Sequence, residues 1–229
     1  RARCDLPVAR RPPGEPRRNL AILFSDLCDS TRIGDSLDPE DYRGLLAELR
    51  GVYRRVISAH GGIVGQFVGD GMLALFGYPE ANESDGRRAV EAALDLHDTV
   101  HRLGGESRWG GAPLRLHSGI HAGLVLLVQG DGVSGRFEVV GAATNIASRL
   151  CGLAGEGQIL VGESALGPER HLFHTSERSQ KRLKGKELPV ATLEILGRAP
   201  VRSRYAASVR GGLTPFVGRI GELGRLGAG

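Results

Sequence analysis

Two aspartates open the question of chemistry. Asp26 follows a short apolar run, residues 20–24, and sits in a polar cluster with Ser25, Asp29, Ser30 and Thr31. Asp70 lies between Gly69 and Gly71 in a second β-prone stretch. Either one alone reads most simply as a turn or cap residue, because aspartate is common at both. Together, on elements that are neighbours in one sheet, they make a pair of hard oxygen ligands suited to Mg²⁺ or Mn²⁺. Two such ions close together activate an attacking oxygen and neutralise phosphate charge. A second pair, Asn145 and Arg149, is spaced so that both side chains share one helical face. The basic stretch 182–186, with Lys184 at its centre, is either a solvated surface or a loop facing a polyanionic small molecule. No phosphate loop of the form G-x-x-x-x-G-K followed by Ser or Thr occurs, so a P-loop nucleotide site is excluded.

The elements that must position these residues are legible in outline. Residues 20–24 predict a buried strand that delivers Asp26 to its C-terminal edge. Asp38, Pro39, Glu40 and Asp41 predict a helix start with an N-cap aspartate and acids in the first turn. The apolar spacing through Tyr42, Leu45, Leu49, Val52, Tyr53, Val56 and Ile57 carries that helix up to Gly61. Residues 63–68 and 72–76 predict a hairpin with Asp70 at its tip. A second amphipathic helix is expected over 84–103, then a glycine-rich loop around Trp109. Strands are expected at 114–121, 124–128 and 136–140, a helix at 143–153, and strands at 158–161 and 190–195. The order strand, helix, hairpin, helix, strand predicts an α/β (α+β) sandwich of ferredoxin-like character.

Composition narrows the classes. A chain of 229 residues with 41% hydrophobic content can bury one substantial core. The expected division is a linker over 1–18, a catalytic domain over 19–197, and a changed segment over 198–229. The net charge of +4 is mild and does not call for nucleic acid. The 3 cysteines, Cys4, Cys28 and Cys151, are in no disulfide or zinc spacing and fit a reducing cytoplasm. No apolar run reaches the ~20 residues of a membrane span, so a soluble, cytoplasmic protein is expected.

The residues around the two aspartates resemble a known family. Phe24-Ser25-Asp26-Leu27-Cys28-Asp29-Ser30-Thr31 is similar to the first metal-binding segment of class III nucleotidyl cyclases, and Phe67-Val68-Gly69-Asp70-Gly71 to the second. Val140-Gly141-Ala142-Ala143-Thr144-Asn145-Ile146-Ala147-Ser148-Arg149 resembles the family's helix bearing asparagine and arginine. Arg182-Leu183-Lys184-Gly185-Lys186 resembles its late basic loop. The resemblance implies the class III cyclase fold and a head-to-tail homodimer with two Mg²⁺ or Mn²⁺ ions at each shared site. It implies closure of ATP, with GTP as the alternative, into a 3',5'-cyclic nucleotide. One protomer would supply Asp26, Asp70 and the Leu27 carbonyl as metal ligands. The backbone of Cys28, Asp29, Ser30 and Thr31 would cradle the triphosphate. The other protomer would supply Asn145 for the ribose and Arg149 for the reacting phosphate, and Lys184 would neutralise the β and γ phosphates. The acceptor of the ribose proton stays open among Asp26, a water and a substrate phosphate oxygen.

Several positions depart from the family pattern. Gln66 stands where many adenylyl enzymes carry lysine, and Glu138 where they carry aspartate or threonine. The pair implies loose reading of the purine edge, with ATP favoured over GTP. Asp29 replaces a glycine common in the phosphate turn and is expected to face solvent or cap the next turn. His117 and His121 share a strand face and read as structural. Thr214-Pro215-Phe216-Val217-Gly218-Arg219, with Glu222 and Leu223, resembles the opening of AAA-type signalling ATPases, which predicts a truncated ATPase-like neighbour. A nucleotide-sensing regulatory module is the competing functional class.

Overall fold

The run at 20–24 is the middle of a longer strand, β1 (Arg17–Leu27), in the computed structural model, which describes residues 17–105, 114–129, 137–183 and 188–200. After it come α1 (Ser30–Ser36), α2 (Pro39–Ala59), β2 (Ile63–Val68), β3 (Gly71–Phe76) and α3 (Asp85–Gly104). The second half contains β4 (Leu116–Gln129), β5 (Phe137–Val140), α4 (Ala142–Leu153), β6 (Ile159–Gly162) and α5 (Glu163–Leu166). A 3₁₀ turn (Gly167–Leu172), β7 (Phe173–Thr175), β8 (Ser179–Lys181) and β9 (Val190–Arg198) complete it. The sheet runs β2-β3-β1-β4-β6-β9-β7, with β5 paired to the far end of β4 and β8 to β9. Only β4 and β6 pair in parallel among the described strands. The block β1-α-β2-β3-α3-β4, with β1 between β3 and β4, is the expected ferredoxin-like arrangement. Among the described residues no helix is long and apolar enough to cross a membrane.

The two-residue period of β1 sorts its side chains onto two cores. Ala21, Leu23 and Leu27 face α2 and α3, packing with Leu45, Leu49, Tyr53 and Ile57 and with Ala93, Leu96 and Val100. Leu20 and Ile22 face the other way, onto Leu73, Leu75, Val125 and Ala143 and Ala147 of α4. Helix α4 comes unusually close to β4 because Gly119 has no side chain. A Cβ there would overlap the Ala147 carbonyl and the Cys151 amide.

Three expectations need correction. The strands at 114–121 and 124–128 are one strand, because Ala122 and Gly123 keep their pairing with Ala21 and Leu20 of β1. Asp38 does precede α2, but its side chain makes no cap; its carbonyl accepts the Tyr42 amide at 2.9 Å. Helix α1 went unseen because it buries no residue and so has no apolar period to detect. Trp109, Lys184 and the ATPase-like segment from Thr214 lie outside the described residues.

Candidate active site

Asp26 is the last but one residue of β1 and alternates onto the same face as Ile22 and Phe24. Antiparallel pairing of Ser25 with Met72 sets the start of β3 beside it, and the hairpin tip then brings in Asp70. The Leu27 amide lies 3.2 Å from Asp26 Oδ1 and 3.2 Å from Asp70 Oδ2, so one N–H bridges both carboxylates. Gly71 is what lets them meet. A Cβ at that position would fall 2.6 Å from Asp26 Oδ1 and 2.8 Å from the Ser25 carbonyl.

Helix α2 holds the hairpin from behind. The Tyr53 hydroxyl donates to the Asp70 carbonyl at 3.3 Å, and Arg50 donates to the Gly69 carbonyl at 3.3 Å. The Arg54 and Arg50 guanidinium groups sit 4.8 and 5.6 Å from the Phe67 ring centre, within cation–π range. Tyr53 belongs to the apolar face of α2, so sequence reasoning took it for core alone. Its hydroxyl was the overlooked signal, because a buried phenol needs a partner.

Among the described residues little positive charge offsets the carboxylate pair. Burial, followed by the hydrogen bond and the negative charge of Asp70, raises the Asp26 pKa from 3.8 to about 6, and nearby His117 offsets only part of this. That is the behaviour of two acids sharing one site, where a proton or a cation must intervene. Among the described residues no group of three or more His, Cys, Asp or Glu side chains forms a metal cage. A cation held by Asp26 and Asp70 would have to draw its remaining ligands from water and substrate oxygens, as Mg²⁺ usually does. The hard oxygen donors and the space left by Gly71 fit such an ion.

A pH dependence follows. Because the folded pKa of Asp26 exceeds its unfolded value, the contribution is stabilising below about 3.8 and is lost as pH rises through about 6. In chelator, the wild-type melting temperature relative to Asp26→Asn should fall between pH 4 and 7, since the asparagine cannot ionise. Added Mg²⁺ should restore the pH 7 value in wild type only. A flat difference across that range would contradict the shared-proton arrangement.

The turn after β1 leads directly into α1. The Cys28 amide donates to the Arg115 carbonyl at 2.9 Å, and the Asp29 carbonyl accepts the Ile33 amide at 3.0 Å. Asp29 has φ 54°, and no other non-glycine residue among those described has a positive φ. This explains why a glycine suits the position. Its side chain faces solvent, as expected, and pairs with Arg32 at 3.2 Å rather than capping α1.

Helix α4 turns Ala143, Ile146, Ala147, Leu150 and Cys151 inward, which leaves Asn145 exposed and Arg149 half-buried on its outer side. Neither makes a hydrogen bond or ion pair with Asp26 or Asp70 among the described residues. Gln66 is half-buried on β2 and Glu138 is exposed on β5. Those strands touch, although β3, β1 and β4 separate them in sheet order. His117 has the structural contact expected of it, Nδ1 lying 2.7 Å from the Cys151 carbonyl. It is also the register partner of Asp26, a proximity that only the β1–β4 pairing reveals.

The sequence profile of the adenylate and guanylate cyclase catalytic domain matches residues 13–195. The chain belongs to that family. Adenylate cyclase 1 of Rhizobium meliloti (strain 1021) is 25% identical to this cyclase domain over 186 residues, 79% of this chain and 28% of that protein. The adenylyl cyclase CyaB from P. aeruginosa superposes with a TM-score of 0.73 at 24% identity, over 83% of this chain and 97% of that one. The guanylyl cyclase Cya2 superposes with a TM-score of 0.70 at 28% identity, over 83% of this chain and 98% of that one. The cyclase domain spans 21%, 28% and 34% of the length of three curated relatives.

Proposed function

We propose that this cyclase domain converts ATP into 3',5'-cyclic AMP and pyrophosphate at sites shared between two head-to-tail copies. The convergence of Asp26 and Asp70 on the Leu27 amide carries the reading. Divalent ions bound there would lower the pKa of the ribose 3'-hydroxyl and neutralise phosphate charge. In this proposal the 3'-hydroxyl gives its proton to Asp26, a water or a substrate phosphate oxygen, and the 3'-oxygen bonds to the α-phosphorus as the bond to the β-phosphate oxygen breaks, so that pyrophosphate leaves in line. Asn145 and Arg149 come from the second copy, the amide orienting the ribose and the planar guanidinium meeting charge on the reacting phosphate. Their outward placement on α4 supports this assignment. The Leu27 carbonyl joins the metal shell, and the backbone from Cys28 through Asp29 and Ser30 to Thr31 cradles the triphosphate. Lys184 neutralises the β and γ phosphates. An assay for pyrophosphate formed one-to-one with cyclic AMP tests the reaction; release of inorganic phosphate instead would mark a hydrolase.

Base choice rests on Gln66 and Glu138. The Gln66 amide can donate to adenine N1 while Glu138 accepts from the adenine amino group. The same two groups can satisfy guanine, and the likeness to the guanylyl cyclase Cya2 favours keeping that second reading. Replacing both, Gln66→Lys with Glu138→Asp, should sharpen ATP preference, because lysine donates only. The ATP-to-GTP ratio of kcat/KM should rise by roughly tenfold or more, since one buried base contact is worth about 1 to 3 kcal/mol. An unchanged ratio in a folded, active variant would remove both residues from the base site. For the longer protein, the likeness beginning at Thr214 makes an ATPase-like C-terminal neighbour part of the proposal.

A further inference from the structure

Three polar groups, two buried serines and the half-buried His97, form a chain between the sheet and α3. Ser25 and Ser118 face each other across β1 and β4 and are 1% and 0% exposed. The Ser118 hydroxyl donates to Ser25 Oγ at 2.9 Å, and Ser118 Oγ lies 2.9 Å from His97 Nε2 on α3. Around His97 the helix turns Ala93, Leu96 and Val100 into the core, with Leu94 packed against it. Burial holds the imidazole neutral, pulling its pKa down to about 4, so one nitrogen donates and the other accepts. The Ser118 amide also donates to the Gln158 carbonyl at 2.9 Å, and the Gly157 amide to the Leu116 carbonyl at 3.0 Å. The chain thus ties α3, β1, β4 and the loop before β6 at one point.

That point is one residue from Asp26. Ser25 and Asp26 point to opposite faces of β1, so the hydroxyls cannot reach the carboxylate; the connection runs through the backbone. Fixing Ser25 against β4 fixes the Cα of Asp26 and the Leu27 amide that bridges both carboxylates. A helix designed only to pack would place an aliphatic residue at position 97, since each buried polar group left unpaired is costly. We propose that His97 is a positioning residue for the cation site, acting through Ser118 and Ser25 on the end of β1. The proposal rests on the reading of Asp26 as a metal ligand.

The test compares His97→Leu and Ser118→Ala, which cut the chain at different links, with His97→Gln, whose amide reaches the Nε2 position. Leu96→Ala, a core loss on the same helix, controls for general destabilisation. Mn²⁺ binding is read from the free-ion EPR signal without nucleotide, because a triphosphate chelates Mn²⁺ on its own, and hydrogen exchange is read at Leu27 and Cys28. Both chain-cutting variants should bind Mn²⁺ about tenfold more weakly, as losses behind a metal ligand do. Their Leu27 and Cys28 amides should exchange faster, while His97→Gln recovers both properties and Leu96→Ala changes neither. Wild-type Mn²⁺ affinity in His97→Leu and Ser118→Ala, or an equal loss in Leu96→Ala, would overturn the proposal. If Asp26→Ala binds Mn²⁺ as tightly as wild type, the metal reading itself fails. The exchange data then decide the link alone, and unchanged protection at Leu27 and Cys28 overturns it.

Discussion

Replacing Asp26 or Asp70 by alanine should lower cyclase activity by about a hundredfold or more while the domain stays folded. Asp26 is half-buried at the C-terminal end of the interior strand β1 and Asp70 lies on a hairpin tip, and neither belongs to a hydrophobic core, so neither substitution opens a cavity in one. The loss would fall instead on the cation binding proposed for these two carboxylates. Asp26→Ala also removes the partner that raises the charge density around Asp70, so its melting temperature in chelator should not fall. Steady-state turnover with Mn²⁺ and ATP, measured beside a thermal melt, separates the two quantities. Near-normal turnover in either folded variant would refute the assignment of these aspartates.

Mixing two dead variants should bring activity back. Asp70→Ala removes a metal ligand, and Arg149→Ala removes the cation proposed to come from the second copy. In a two-fold symmetric dimer with sites at the interface, a mixed pair holds one intact site and one doubly damaged site. Equal mixing with free exchange makes about half of the dimers mixed, so recovery should approach about a quarter of wild-type activity. Differently tagged subunits that co-purify confirm exchange. If exchange occurs and the mixture stays inactive, the shared-site arrangement is wrong. The placement of Arg149 outward on α4, away from its own sheet, is what makes recovery the expected outcome.

The parts of the fold that sequence makes visible are those with a strong period or a distinctive turn. Helix α2 declares itself through Leu45, Leu49, Val52, Tyr53, Val56 and Ile57, all buried as the spacing requires. The β2–β3 hairpin declares itself through Gly69, Asp70 and Gly71. Short elements without a buried face did not show: α1 has none, and β8 exposes Ser179 and Gln180. The β4 strand was split in reading because Ala122 and Gly123 look like a break, yet their backbone pairing with β1 continues. Asp26 and Asp70 were legible as a pair, but not what brings them together. Gly71 beside Asp26 and His117 across from Asp26 are set by strand register, and Tyr53 behind Asp70 by the packing of α2 on the sheet, neither of which a local pattern encodes. The Ser25–Ser118–His97 chain was invisible for the same reason, its members being far apart in sequence.

This domain is expected to make a cyclic nucleotide. Purified protein incubated with ATP, GTP, CTP or UTP, with Mg²⁺ or Mn²⁺ and with chelator, and followed by mass spectrometry of the products, tests it most directly. 3',5'-cyclic AMP should be the main product, with a smaller yield of cyclic GMP, and neither should form in chelator. Nucleotide recovered unchanged, or only linear di- and monophosphates, from a folded and metal-loaded protein would contradict it.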